Sequence, residues 1–195
     1  GAADSLTPND LDLAEPGISD SAFFLVSLEV PIKVMQRGLE IAKKNGVHTI
    51  LNPAPAALLP DEVYKLSDYF TPNETEASML AGIPVENIED AKAAAKIFLD
   101  RGVKNAVITL GDLGVYVYNS EINQHVPSFD MGEKVLETTG AGDAFNGGFA
   151  YALAEGLPLI EAIRYGSATA AISVTRLGTA PSMPFKDEIK TLLSK

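Results

Sequence analysis

The chain has 195 residues, 46% of them hydrophobic and 21% charged, the balance of an ordinary globular protein long enough for one substantial core. It contains no cysteine, which excludes disulfides, thiolate metal sites and cysteine nucleophiles. Its net charge of −11 argues against nucleic acid or an anionic membrane as partner, since both need a basic face, but leaves room for one anionic small molecule held by backbone N–H groups and Mg²⁺.

Apolar runs and helical patterns alternate along the chain. "AFFLVSLE" (Ala22 to Glu29) reads as a buried strand, and Pro31 suits the first turn of a helix that runs through "IKVMQRGLEIAKKNG" to a stop at Gly46. "VHTIL" is a second short buried strand, ending in the stiff loop "NPAPA". "DEVYKLS" offers a short helix, "DYFTPN" a strand end, and "ETEASMLAG" a helix closed by Gly82. "NIEDAKAAAKIFLDRG" is acidic at its start and basic at its end, with Gly102 behind it, the charge order a helix dipole favours. "NAVITLGDLGVYVYN" places β-branched runs on both sides of an "LGDLG" turn and predicts two strands and a hairpin. From Asp143 onward the pattern is helical: Asp143 to Glu155, Leu159 to about Arg176, and a last piece after Pro184. No apolar run reaches the ~18 residues of a membrane span, no signal peptide is visible, and no repeat or linker divides the chain. Strand–helix alternation with short loops predicts a single α/β domain, residues 1–195, around a largely parallel sheet.

The chemistry-bearing stretch is "TTGAGDAFNGGF", in which glycines surround Ala141 and Asp143 follows at once. A helix start with unpaired N–H groups is a seat for an anion, yet a carboxylate stands in it. Its glycine spacing fails the Rossmann pattern G-x-G-x-x-G, and no lysine follows as a P-loop requires. A glycine-rich helix start capped by Asp143 is the structural alternative. Asn73 and Glu76, three apart at a loop-to-helix junction, form either a capping box or an amide and carboxylate for phosphate and hydrated Mg²⁺. Thr109, Gly111 and Gly114 end a strand where open α/β sheets take ligands, or simply make a turn. Glu29 ends an apolar run and is either solvated at the sheet edge or aimed into a site. Arg176 suits a helix end, and His48 and His125 read as surface or strand-end residues.

Taken together, "LVSLEVP", "NPAPA", "TPNETEASMLAG", "VITLGDLGVYV", "TTGAGDAFNGGF" and "AISVTRLGTAPSMP" resemble, in order along the chain, the ribokinase-like (PfkB) sugar-kinase family, with "NPAPA" and "PNETEA" pointing to its ribokinase branch. The resemblance implies a three-layer α/β/α sandwich with a largely parallel central sheet. It implies ATP-dependent phosphorylation of ribose to ribose 5-phosphate, with Asp143 as catalytic base and Gly140, Ala141 and Gly142 as anion hole. By the same resemblance Asn73, Thr109, Leu110, Gly111, Asp112, Leu113, Gly114, Gly142 and Ser167 line the ATP site, and Glu29 joins Asp143 in holding the sugar. Glu76 serves Mg²⁺ through water, and a K⁺-type activator takes oxygens from Glu137, Thr139, Ser173, Arg176, Gly178 and Ser182. A cytoplasmic location and a homodimer in the complete protein are implied as well.

Two departures stand out. Glu137 occupies a position where the family carries Asp, which lengthens the arm by one methylene. The chain also lacks the family's early aspartate, its "GGKGAN"-like stretch and its β-sheet lid, so it reads as the C-terminal, nucleotide-binding and catalytic part, expected to be weakly active or inactive alone. Phosphorylation of fructose, another keto-sugar or a nucleoside is an alternative in the same class; a non-catalytic nucleotide-binding fragment is one from another class.

Overall fold

The computed structural model describes residues 1–194, which form two compact units. The first comprises Gly1–Leu110 and Tyr116–Gln124; the second comprises Gly111–Val115 and the chain from His125 onward.

The first unit opens with helix α1, Pro8–Ser19, for which the sequence reading has no counterpart. Its start is built locally: Pro8 sits in the first turn, and the Asp10 carboxylate accepts from the Thr7 N–H at 2.7 Å. Strand β1, Phe23–Ser27, follows, then α2, Ile32–Lys44, and β2, His48–Asn52. Next come α3, Asp61–Lys65; β3, Tyr69–Phe70; α4, Glu74–Ala81; α5, Ile88–Asp100; and β4, Asn105–Thr109. Strands β1 to β4 pair in parallel, with Phe23 opposite His48, Ile50 opposite Tyr69, and Tyr69 opposite Asn105. Parallel neighbours require crossovers, and each crossover here carries at least one of the helices α2 to α5. β5, Val115–Tyr118, and β6, Asn123–Val126, complete a six-stranded sheet in the order β1-β2-β3-β4-β5-β6.

The sheet is thus largely parallel, as strand–helix alternation requires. Its core centres on Tyr64, Phe70 and Phe98, with the Phe70 and Phe98 rings edge-to-face at 5.0 Å, and Met35, Leu39, Leu51 and Ile108 around them. The inner strands are buried, but β1 is only half-buried and Leu25 is 42% exposed. This corrects the reading of a buried strand: β1 ends the sheet order, so an apolar run marks its register without guaranteeing cover on both faces. β6, with the polar sequence "NQHV", carries no strand signature and was not anticipated.

In the second unit, α6 spans Ala141–Ala154, α7 Leu159–Ser173 and α8 Lys186–Leu193. α6 and α7 pack closely because glycines stand where they meet. A Cβ on Gly148 would lie 2.3 Å from Thr169 Oγ1, and one on Gly166 would lie 2.8 Å from the Phe145 carbonyl oxygen. Among the described residues, no helix is long and apolar enough to cross a membrane.

Candidate active site

Gly140 determines the local shape of the glycine-rich turn. Its φ of 82° is left-handed, a conformation that costs a side chain dearly, and a Cβ there would also press on Thr179 Cγ2 at 3.1 Å. Helix α6 therefore begins at Ala141, with Gly140 as N-cap and no side-chain cap. The alternative of a helix capped by Asp143 is thereby corrected: Asp143 lies inside the first turn, where its carboxylate is exposed.

The backbone of this turn has a definite hydrogen-bond balance. The Ala141 N–H donates to the Thr138 carbonyl at 3.1 Å, and the Gly142 carbonyl accepts from Asn146 Nδ2 at 2.9 Å. Among the described residues the N–H groups of Gly140, Gly142 and Asp143 meet no acceptor, and the Asp143 carboxylate has no hydrogen-bond or ion-pair partner. Open amides at a helix start attract an anion. A free carboxylate beside them attracts a proton donor.

A second chain segment braces the turn. Val174 O accepts from the N–H groups of Leu136 and Glu137 at 2.8 and 3.2 Å, and the Gly178 N–H donates to Glu137 Oε2 at 3.0 Å. The Ser182 hydroxyl donates to Thr179 O at 2.6 Å, and the Arg176 N–H to Ser173 O at 3.1 Å. The Arg176 guanidinium is occupied by Glu188 and the Ser182 carbonyl, so only its backbone remains for another role. Glu137, Ser173, Arg176, Gly178 and Ser182 are thus brought together, with exposed Thr139 between Glu137 and Gly140 in the chain. One carboxylate among carbonyl and hydroxyl oxygens is an all-oxygen donor set, of the kind hard cations take.

Further along the second unit, the 3-10 turn Gly111–Leu113 is closed by the Gly114 N–H donating to Gly111 O at 3.1 Å. Both glycines are left-handed, with φ of 52° and 97°. On α7, Ser167 holds a buried hydroxyl with no partner among the described residues, the kind of group a ligand or water satisfies.

In the first unit the predicted residues collect at the carboxyl ends of the strands. Asn73 and Glu76 do form the capping box of α4: Glu76 Oε2 accepts from the Asn73 N–H at 2.8 Å, and Asn73 Oδ1 from the Glu76 N–H at 2.8 Å. Burial pushes the Glu76 carboxyl up, against the pull of the Asn73 N–H. Each carboxylate oxygen also accepts from Asn73 only once, which leaves lone pairs for metal-bound water. Among the described residues no group of three or more carboxylates or imidazoles could hold a metal by itself. Thr109 pairs with Asn73 in a parallel bridge and donates its N–H to Pro72 O at 2.9 Å; Leu110 behind it is buried. Glu29 is exposed in the turn after β1, and the Leu28 N–H donating to Ala54 O at 2.9 Å holds this turn against the "NPAPA" loop.

A largely parallel sheet with polar residues beyond the carboxyl ends of its strands is the α/β arrangement in which ligands bind at those ends. The chain belongs to the pfkB family of carbohydrate kinases, whose model matches residues 1–186. It is 43% identical over 188 residues to the ribokinase of Haemophilus influenzae, covering 96% of this chain and 61% of that enzyme. Ribokinase from Thermotoga maritima superposes with a TM-score of 0.87 at 39% identity, over 100% of this chain and 63% of that one. Arabidopsis thaliana ribokinase, solved with ribose and ATP, superposes with a TM-score of 0.84 at 31% identity, over 97% and 60% respectively. The chain therefore spans somewhat under two thirds of the length of these relatives.

Proposed function

We propose that the protein acts as an ATP-dependent sugar kinase, transferring the γ-phosphoryl group of ATP to the primary hydroxyl of ribose. The observation that carries this reading is the Asp143 carboxylate, exposed and without a partner among the described residues, in the same helical turn as the open amides of Gly142 and Asp143. Asp143 takes the proton of the hydroxyl as its oxygen bonds to phosphorus and the bond to the ADP oxygen breaks. The amides of Gly140, Gly142 and Asp143 receive the charge on the transferring group. Phosphoryl transfer gains most from positioning and fixed charge, and a helix start supplies both without reorganising. Ala141, which the family resemblance places in the anion hole, is left out of it here: its N–H is given to Thr138 and holds the turn in shape.

On this reading Asn73, Thr109, Leu110, Gly111 to Gly114, Gly142 and Ser167 bind the nucleotide, and Glu29 with Asp143 binds sugar hydroxyls. Glu76 would hold Mg²⁺ through water, beside Asn73 at the phosphates, and Glu137 with the oxygens of Thr139, Ser173, Arg176, Gly178 and Ser182 would hold K⁺; when bound, these ions would neutralise phosphate charge. The family resemblance and the relative solved with ribose and ATP support the assignment.

ADP release with Mg-ATP, K⁺ and a sugar panel headed by D-ribose tests it. Ribose-dependent turnover should fall by about 10²–10⁴ in Asp143→Asn, the scale of a lost general base, while ATP still binds. Wild-type turnover in that variant would remove Asp143 from the mechanism. Turnover with another sugar but not with ribose would move the substrate assignment alone.

A further inference from the structure

The Gly111–Leu113 turn is held from outside by two side chains that the sequence reading left without a role. The turn contains three consecutive carbonyls. Gly111 O accepts from the Gly114 N–H, Asp112 O accepts from the Ser128 hydroxyl at 2.6 Å, and Leu113 O accepts from the His125 ring at Nε2. Gly114 packs so closely on the same segment that a Cβ would lie 2.2 Å from Val126 O. By contrast, the Gly111 and Asp112 N–H groups meet no acceptor among the described residues. Every carbonyl of the turn is thus satisfied, two of them by side chains outside it, while amides remain open. Successive backbone N–H groups left open in this way favour an anion.

We infer that His125 and Ser128 are positioning residues for nucleotide binding: they anchor the carbonyls of the 111–114 turn so that its amides stay available to a nucleoside triphosphate. Neither side chain touches the ligand. The inference rests on the reading that this turn serves ATP. His125, half-buried near the end of β6 as a strand-end residue, acts there as an N–H donor through Nε2. Without the two clamps the turn regains conformers that do not present the amides, and ATP binds to a smaller competent fraction.

The test is calorimetric titration with Mg-ATP of the wild-type protein, His125→Ala, His125→Gln and Ser128→Ala, with melting temperatures and steady-state kinetics alongside. Losing one such hydrogen bond should weaken ATP binding about 3- to 10-fold. The KM for ATP should rise in step, with kcat at saturating ATP unchanged. Glutamine, whose Nε2 donates from nearly the same place as the imidazole Nε2, should restore most of the affinity. Wild-type affinity in both alanine variants would overturn the inference. So would an affinity loss that merely tracks a fall in melting temperature and is no smaller in His125→Gln. A wild-type protein that binds no ATP would instead overturn the kinase reading, and this inference with it.

Discussion

At the scale of single residues, the group held most firmly by charge lies away from the proposed chemistry. Asp68 begins the segment leading into β3, and its side chain is 4% exposed. Burial alone would push its carboxyl up. The ammonium groups of Lys104 and Lys43, each 2.7 Å away, and the Thr49 N–H outweigh burial and hold the pKa down to about 2. A carboxylate depressed on folding contributes stability that is present above its unfolded value of 3.8 and is lost as pH falls toward about 2. The contribution is about 2 kcal/mol at neutral pH. Asp68→Asn should therefore be less stable than the wild type at pH 7 by about that much. In urea unfolding the gap should narrow steadily between pH 4 and pH 2; a gap independent of pH would show that the loss comes from packing. None of this was legible in the sequence, because Asp68, Lys43 and Lys104 are brought together only by the crossovers. The place of Asp143 at a glycine-rich helix start was legible for the opposite reason: the residues that make the turn are its neighbours in the chain.

Elements were read well where one segment determines its own structure, and poorly where a distant segment decides. Gly82 and Gly102 closed their helices as glycine stops do, and Asn73 and Glu76 capped α4 as their spacing allows. The start of α6 was displaced by two residues because the left-handed Gly140, not the acidic side chain, ends the preceding loop. Helix α1 went unread: the internal Pro16 obscures a helical pattern whose Thr7–Asp10 start is nonetheless good. The packing of α6 on α7 shows the same division. Gly147 and Gly148 look alike in sequence, yet a Cβ on Gly147 would meet nothing within 4 Å while one on Gly148 would strike Thr169. Replacing a helical glycine by alanine gains roughly 0.5–1 kcal/mol of backbone entropy where there is room. Overpacking costs roughly 1–3 kcal/mol where there is not. Gly147→Ala should therefore raise the unfolding midpoint and Gly166→Ala, against the Phe145 backbone, should lower it. Equal effects in urea titrations would show that the two helices can yield at the contact.

For the whole molecule, alternation of strand and helix was enough to predict a parallel sheet, since each crossover must carry a connecting segment. At the strand ends the Asn73–Glu76 capping box was legible from spacing, but the contacts of the turn after β1 with the "NPAPA" loop were not. Net charge is a whole-molecule property that sequence gives directly, and on the proposed function it bears on how ATP would arrive. ATP is a polyanion, and the protein carries −11. The local attraction of open amides and Mg²⁺ acts over a few ångströms, whereas the repulsion of the net charge acts over a Debye length. Raising ionic strength from about 0.01 M to about 0.15 M shortens that length from about 30 Å to about 8 Å. Association of Mg-ATP should therefore speed up over this range, while dissociation, governed by the short-range contacts, changes little. Stopped-flow binding of a fluorescent ATP analogue measures both rates, with a tetraalkylammonium salt supplying the ionic strength so that K⁺ stays constant. An association rate that falls with salt would mean that a positive local field at the site outweighs the charge of the whole chain, and would place attracting groups near it beyond backbone amides.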